Sequence, residues 1–360
     1  MSQRPLVVNG TPAPLPAGGD AADVWYARCG GATASTIAIQ RGWLQEEFAT
    51  SGLRVAAVQG AAERDLRDSH FDHRLPAMFR EGGNIPPIWA RSAGQDTVVL
   101  GITWVDEWQG ILVREDSSIR SVSDLAGKRL GAPRHDGSLT DFQRGMALHG
   151  FDTVFKLAGL DVTRDATFVD VVGVAADHQG HARAGTRAGD TPRAALLRGD
   201  VDAIYAKGAL GGAASRAGLR QLFDINTLEN PELRINNGTP RLITVGRSFL
   251  ARNPELVERY LAVLLRTGNW AAEHRDEVLA DLAAESGGDI AAVIHGYSDQ
   301  VHQRLVPSLS AEYVRGLTIQ KDWLRDWGFL AADFDVAGWI EAGPLAAAQR
   351  RVGAGLAVAV

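Results

Sequence analysis

The one cysteine of the 360-residue chain, Cys29, stands directly before Gly30-Gly31 and a segment, 33–48, whose apolar spacing predicts a helix. With Trp25-Tyr26 leading in, this reads as a strand-to-helix junction. The amide end of a helix stabilises a thiolate and an anionic ligand alike. A thiol there can hand over a proton, and a thiolate can attack an electrophile. Residue type and spacing leave both routes open, beside the plain alternative of a small buried apolar side chain.

Arg80 opens the run Arg80-Glu81-Gly82-Gly83. A guanidinium presents parallel donors to two oxygens of an oxyanion and stays charged at any working pH. A Gly82-Gly83 turn, lacking Cβ atoms, lets backbone amides approach a ligand closely. An arginine here equally suits a helix cap or a solvent-facing position. His70, one of nine histidines, carries a ring that can set or orient the protonation of a neighbouring thiol near neutral pH. The pairs His70/His73 and His178/His181 have no third ligand at a recognised spacing, so no metal is expected. Gly30-Gly31, Gly82-Gly83 and Gly211-Gly212 are isolated pairs rather than a phosphate-cradling fingerprint, and no cofactor is expected.

The elements that must position these residues alternate between strand and helix, which predicts an α/β fold with a mostly parallel sheet. After a Pro/Gly/Ala-rich arm to about Asp23, the helix at 33–48 is followed by strands at 53–59, 96–104 and 108–115. A second run has a short helix and strand start at 122–131, a helix at 139–158, a strand at 166–174, a helix at 191–199 and a strand at 202–208. Residues 241–254 bring the chain back. The remainder, 254–284, 287–304 and 309–328, has helical spacing, and the closing GLAVAV reads as a frayed or surface-attached arm. Two lobes follow: residues 1–111 with 235–360, carrying Cys29, His70 and Arg80, and an inserted lobe at 112–234. The ligand cleft is expected between them, at the carboxyl ends of the parallel strands. Trp25, Tyr26, Trp104, Trp108 and Tyr205 fall at element ends, and two or three of them at most are expected to line that cleft. Residues 175–190 lack apolar periodicity and read as either a lid or a solvated insertion.

Composition narrows the function classes. With 45% hydrophobic and 22% charged residues the chain can bury a sizeable core. A net charge of -6 without a long Lys/Arg block argues against nucleic acid. No apolar run reaches membrane length, and the first twenty residues lack the features of a secretory leader, so a cytoplasmic protein without membrane attachment is expected. A lone cysteine forms no internal disulfide. Nothing at helical or strand spacing marks an interface, and a monomer is expected.

The motifs VSDLAGKRLG at 122–131, RGDVDA at 198–203 and NPELVERYLAVLLRTGNWAAEH at 253–274 resemble the sulfonate, taurine and nitrate solute-binding proteins. That resemblance implies the two-lobed type II periplasmic-binding-protein fold. Tyr26-Ala27-Arg28-Cys29, His70-Phe71-Asp72 and Arg80-Glu81-Gly82-Gly83-Asn84-Ile85-Pro86-Pro87, with LGITW, GILVREDSSI and Gln303-Arg304-Leu305-Val306-Pro307, resemble more narrowly the 2'-hydroxybiphenyl-2-sulfinate desulfinases of the dibenzothiophene desulfurisation pathway. The similarity runs from about Tyr26 onward, with 132–165 and 175–192 divergent. It implies a hydrolase that needs no cofactor, cleaves an aromatic carbon–sulfur bond of a small aryl sulfinate and releases sulfite with an arene such as 2-hydroxybiphenyl. It implies further that Cys29 is catalytic, that His70 supports it, and that Arg80 with the Gly82 and Gly83 amides holds the sulfinate. Tyr26 and Trp104 are then candidates for the aromatic wall. The alternative is a non-catalytic sulfonate or small-anion solute-binding protein of an ABC transporter.

Overall fold

Val24–Arg28 (β1) sends Val24 and Tyr26 into one apolar cluster and Trp25 and Ala27 into another. Burial on both faces is what a central strand of a helix-covered sheet requires. The computed structural model describes residues 23–28, 30–173, 191–208 and 218–358, without the side chains of Arg28 and 355–358. Cys29, the 175–190 segment, most of the amino-terminal arm and the side chains of the GLAVAV arm lie outside the described residues.

Strand β1 pairs in parallel with β2 (Val55–Ala57) and β3 (Met78–Gly83). β10 (Arg241–Gly246) runs against both β3 and β4 (Thr97–Thr103), giving the order β2-β1-β3-β10-β4. The second sheet has the order β7-β6-β8-β5-β9, from β5 (Gln109–Arg114), β6 (Arg129–Arg134), β7 (Thr167–Val172), β8 (Ala203–Lys207) and β9 (Leu219–Asp224). In it β6 is parallel to β7 and β8, while β5 is antiparallel to β8 and β9. Two mixed sheets covered by helices make an α/β fold. The chain leaves the first sheet after Thr103 and returns to it at Arg241.

Several elements differ from the sequence reading, each for a local reason. Residues 33–48 form two helices, Ala34–Gln40 and Trp43–Ala49, because Gly42 between them takes φ +78°, a left-handed conformation that only glycine adopts freely. Gly82-Gly83 is not a turn: it is the end of β3, a strand whose six residues are all buried. Its charged centre, Arg80-Glu81, hid it from any apolar pattern. Arg80 accordingly neither caps a helix nor faces solvent. Residues 247–252, read with the returning strand, are a helix.

The first core is built on Phe79 of β3, whose ring stacks on Tyr260 with centroids 4.0 Å apart and planes 3° from parallel. Tyr260 belongs to the helix Pro254–Glu273, which starts with proline at its first position and lays Val257, Leu261 and Leu264 on the sheet. The helix Phe142–Leu157 of the second lobe, capped by the Asp141 carboxylate on the Arg144 amide, buries Leu148, Phe151 and Phe155. Among the described residues no helix is long and apolar enough to cross a membrane.

Because the Phe79 ring both fills the core and fixes the residue next to Arg80, Phe79→Ala should lower the free energy of unfolding in urea by about 3–5 kcal/mol. A loss below about 1 kcal/mol would show that the stack does not hold β3 in place.

Candidate active site

Arg80 lies in the middle of β3 and is wholly buried. A guanidinium out of water must find acceptors, and two backbone carbonyls supply them. Nε donates to the carbonyl of His70 at 2.9 Å, and Nη1 donates to the carbonyl of Gly83 at 2.9 Å. One side chain thus ties the last turn of the helix Arg64–Asp72 to the end of β3. These carbonyls take hydrogens of Nε and Nη1, and the Arg80 charge acts in turn on His73. Burial first and Arg80 second hold the His73 ring at a pKa of about 3, so it is neutral and bonds Thr244 Oγ1 through Nε2 at 2.9 Å.

His70 is buried in the last turn of the same helix, its ring edge-on to Phe71 at 4.9 Å. Phe71 in turn stacks on Phe142 at 5.9 Å, so the helix that carries His70 touches the first residue of the second-lobe helix.

Gly83 pairs across the sheet with Arg241, and Gly82 with Leu242. A Cβ at Gly83 would stand 2.6 Å from the Asn237 amide nitrogen, so the glycine admits a side chain of the protein itself. Asn237 Oδ1 accepts from the Ile85 amide at 2.8 Å, and its carbonyl accepts from the Asn84 amide at 2.8 Å. Asn84 Nδ2 donates to the carbonyls of Asn236 and Pro240 at 2.8 and 2.9 Å. The end of β3 and the start of the helix Ile85–Ser92 are clamped to the segment that leads into β10.

Glu81, between Arg80 and the glycines, is also fully buried. Its Oε2 accepts from the Ser35 amide at 2.9 Å and its Oε1 from the Thr103 hydroxyl at 2.8 Å. Burial pushes this carboxyl up, against the opposing pull of the Ser35 and Thr103 bonds and of Arg241. The carboxyl holds the first turn of the helix Ala34–Gln40, the element that follows Gly30-Gly31.

The structure therefore brings His70, Arg80, Gly82 and Gly83 together at the end of β3. Cys29 lies outside the described residues; Arg28, which precedes it, pairs with Glu81 across β1 and β3. Tyr26 pairs with Phe79 and packs into the first core. Trp104 packs on Tyr313 at 5.4 Å and on Gly316, in a groove of about 830 Å³ that Trp108, Arg234 and His295 also line and that none of His70, Arg80, Gly82 or Gly83 lines. Trp25 is in a core cluster with Leu66 and Met78. The Tyr205 hydroxyl donates to Gln109 Oε1 at 2.9 Å. Sequence reasoning missed Glu81, Asn84, Asn237 and Arg241. The polar run Asn236-Asn237-Gly238 ahead of a strand was the available signal. Among the described residues no group of three or more metal-ligating side chains occurs.

No protein-family model matches the chain. The 2'-hydroxybiphenyl-2-sulfinate desulfinase of Rhodococcus erythropolis is 30% identical over 269 residues, covering 67% of this chain and 72% of that protein. The chain belongs to the 2'-hydroxybiphenyl-2-sulfinate desulfinase family. The crystal structure of the desulfurization enzyme DszB superposes on this desulfinase fold with a TM-score of 0.72 at 25% identity, over 91% of this chain and 99% of that one. A cysteine-to-serine mutant of DszB, crystallised in complex with biphenyl-2-sulfinic acid, gives 0.70 at 26% identity with the same coverage. The periplasmic aliphatic sulphonate binding protein SsuA of Escherichia coli shares the fold, with a TM-score of 0.62 at 20% identity over 88% of this chain and 91% of that one. The desulfinase fold is thus a periplasmic-binding-protein-like one.

Two outcomes follow for the site. Gly83→Ala should cost about 1–3 kcal/mol of stability by forcing Asn237 aside, and adding Asn237→Gly should cost less than the sum of the two single changes in urea unfolding. For Glu81, a raised carboxyl pKa means that its contribution to stability is complete below the ordinary glutamate value of 4.5 and is lost as pH rises through the folded value. The stability of Glu81→Gln relative to the parent should therefore climb as pH rises from that value toward neutrality; a pH-independent difference would contradict the shift.

Proposed function

We propose that this protein is a cofactor-independent aryl-sulfinate desulfinase, a hydrolase that releases sulfite and an arene such as 2-hydroxybiphenyl. The observation that carries the reading is the buried guanidinium of Arg80, fixed by His70 and Gly83 carbonyls in a chain of the desulfinase family. The reaction balances with water alone: an aryl sulfinate anion and water give the arene and hydrogen sulfite. The carbon–sulfur bond breaks, the ring carbon gains a proton, and sulfur gains the hydroxyl. No external oxidant or reductant enters.

Arg80 supplies charged donors for the sulfinate oxygens, with the Gly82 and Gly83 amides beside it. Cys29 serves either as the thiol that protonates the ring carbon or as the thiolate that attacks sulfur, and His70 supports it. Half-buried Phe71, next to His70 and stacked on Phe142, offers the flat apolar surface an aryl group needs. A fold shared with SsuA supports the anion-holding cleft and leaves the chemistry to the residues at its rim.

The deciding assay is sulfite release from 2'-hydroxybiphenyl-2-sulfinate. The parent protein should release sulfite, and Cys29→Ser should release it about 10²–10⁴-fold more slowly while still binding the sulfinate. Binding without sulfite release by the parent would make it a solute-binding protein; equal rates in the two proteins would remove Cys29 from the chemistry.

A further inference from the structure

The chain returns from the second lobe to β10 through the turn Asn236-Asn237-Gly238-Thr239. Asn236 and Thr239 exchange both backbone bonds, the Asn236 amide donating to the Thr239 carbonyl at 2.9 Å and the Thr239 amide to the Asn236 carbonyl at 3.0 Å. Asn237 and Gly238 are therefore the tip of a tight loop. Its base is tied to the outgoing crossing between β4 and β5, where Thr239 Oγ1 donates to the Val105 carbonyl at 2.8 Å.

Asn237 is buried and bonded at three polar atoms. Its amide donates to Asn236 Oδ1, its Oδ1 accepts from the Ile85 amide and its carbonyl accepts from the Asn84 amide, each at 2.8 Å. The last of these bonds reaches Arg80. The Asn84 amide and the Gly83 carbonyl belong to one trans peptide unit, which is planar, so the two groups point in opposite directions along it. That carbonyl accepts from Arg80 Nη1 at 2.9 Å. Holding the N–H therefore holds the carbonyl on which the guanidinium rests, and turning the plane would strain the Asn237 and Arg80 bonds together. The support begins in the second lobe: Asn236 Nδ2 donates to the Met146 carbonyl of the helix Phe142–Leu157 at 3.1 Å and to the Tyr205 hydroxyl of β8 at 3.3 Å, while Asn236 Oδ1 seats Asn237.

The geometry points to Asn237, seated by Asn236, as a positioning residue of the proposed desulfinase: it fixes the Gly83–Asn84 peptide plane and, through it, the Nη1 end of the Arg80 guanidinium. This inference rests on the desulfinase reading, in which Arg80 holds the sulfinate oxygens. Asn237 acts on the backbone and its effect on a ligand passes through Arg80. A fork of parallel donors grips two oxygens only in the right plane, so a small rotation of the guanidinium is felt in binding and in rate.

The test uses Asn237→Ala, which removes the Oδ1 acceptor and empties the space over Gly83, and Asn236→Ala, which acts one bond further back. Asn237→Ala should lower kcat/KM for 2'-hydroxybiphenyl-2-sulfinate by about 10- to 100-fold, and should weaken its binding to a similar extent when calorimetry is done in a Cys29→Ser background. Asn236→Ala should do the same in smaller measure, and it carries the test if Asn237→Ala does not fold. In an Arg80→Lys background Asn237→Ala should change either quantity less than about threefold, because the group it positions is gone. Losses that simply multiply, or a lowered unfolding midpoint with affinity and kcat/KM unchanged, would make Asn237 a structural brace and overturn the inference. The Arg80 Nε–H resonance, assigned by its loss in Arg80→Lys, reads the positioning without any ligand. Its exchange with solvent should quicken about tenfold or more in Asn237→Ala, and an unmoved resonance overturns the inference. A parent that releases no sulfite from the sulfinate overturns the desulfinase reading instead, and that resonance still judges whether Asn237 positions Arg80.

Discussion

The burial of the Arg80 charge is the constraint around which the first lobe is arranged. Taking a guanidinium out of water costs several kcal/mol unless its hydrogens are met, and β3 meets them with carbonyls from two different elements. Burial first and the Arg80 charge second depress the neighbouring His73 ring. The fold thus buries a cation within a central strand.

That end of the strand is held from three sides. Asn237 fits into the space that Gly83 leaves and bonds the backbone at Asn84 and Ile85. Glu81 reaches across to Ser35 and Thr103, which couples the first turn of the helix Ala34–Gln40 to β3 and β4. Arg241 lies over Gly31 and against Glu107. Glycine serves here to admit other side chains of the protein at close range.

The two lobes meet the site unequally. Arg80, His70, Gly82 and Gly83 all come from the first lobe, while the second contributes Phe142, stacked on Phe71, and Lys207, bonded to Glu107. Glu107 lies in the stretch where the chain crosses from β4 to β5, and so one carboxylate joins a first-sheet arginine, a second-sheet lysine and the crossing itself.

Much of this was legible in the order of residues. Alternating strand and helix signals announced an α/β chain, the apolar spacing of 254–284 announced helix, which divides at His274 into Pro254–Glu273 and Arg275–Ser286, and the resemblance to the desulfinases singled out His70 and the Arg80-Glu81-Gly82-Gly83 run. The element boundaries were less legible where a single residue decided them, as at Gly42. β3 itself escaped notice, because its buried charges break the apolar pattern by which a strand is recognised, and their partners lie far along the chain. Thr103, Asn237 and Arg241 stand roughly 20 to 210 positions from the residues they touch, and no local spacing encodes such pairings. Sequence alone determined which side chains were available as charged donors and which positions carry no Cβ. The tertiary structure decided that Arg80 is buried on the carbonyls of His70 and Gly83, and that Arg241 pairs with Gly83, which depends on the antiparallel return of β10 beside β3.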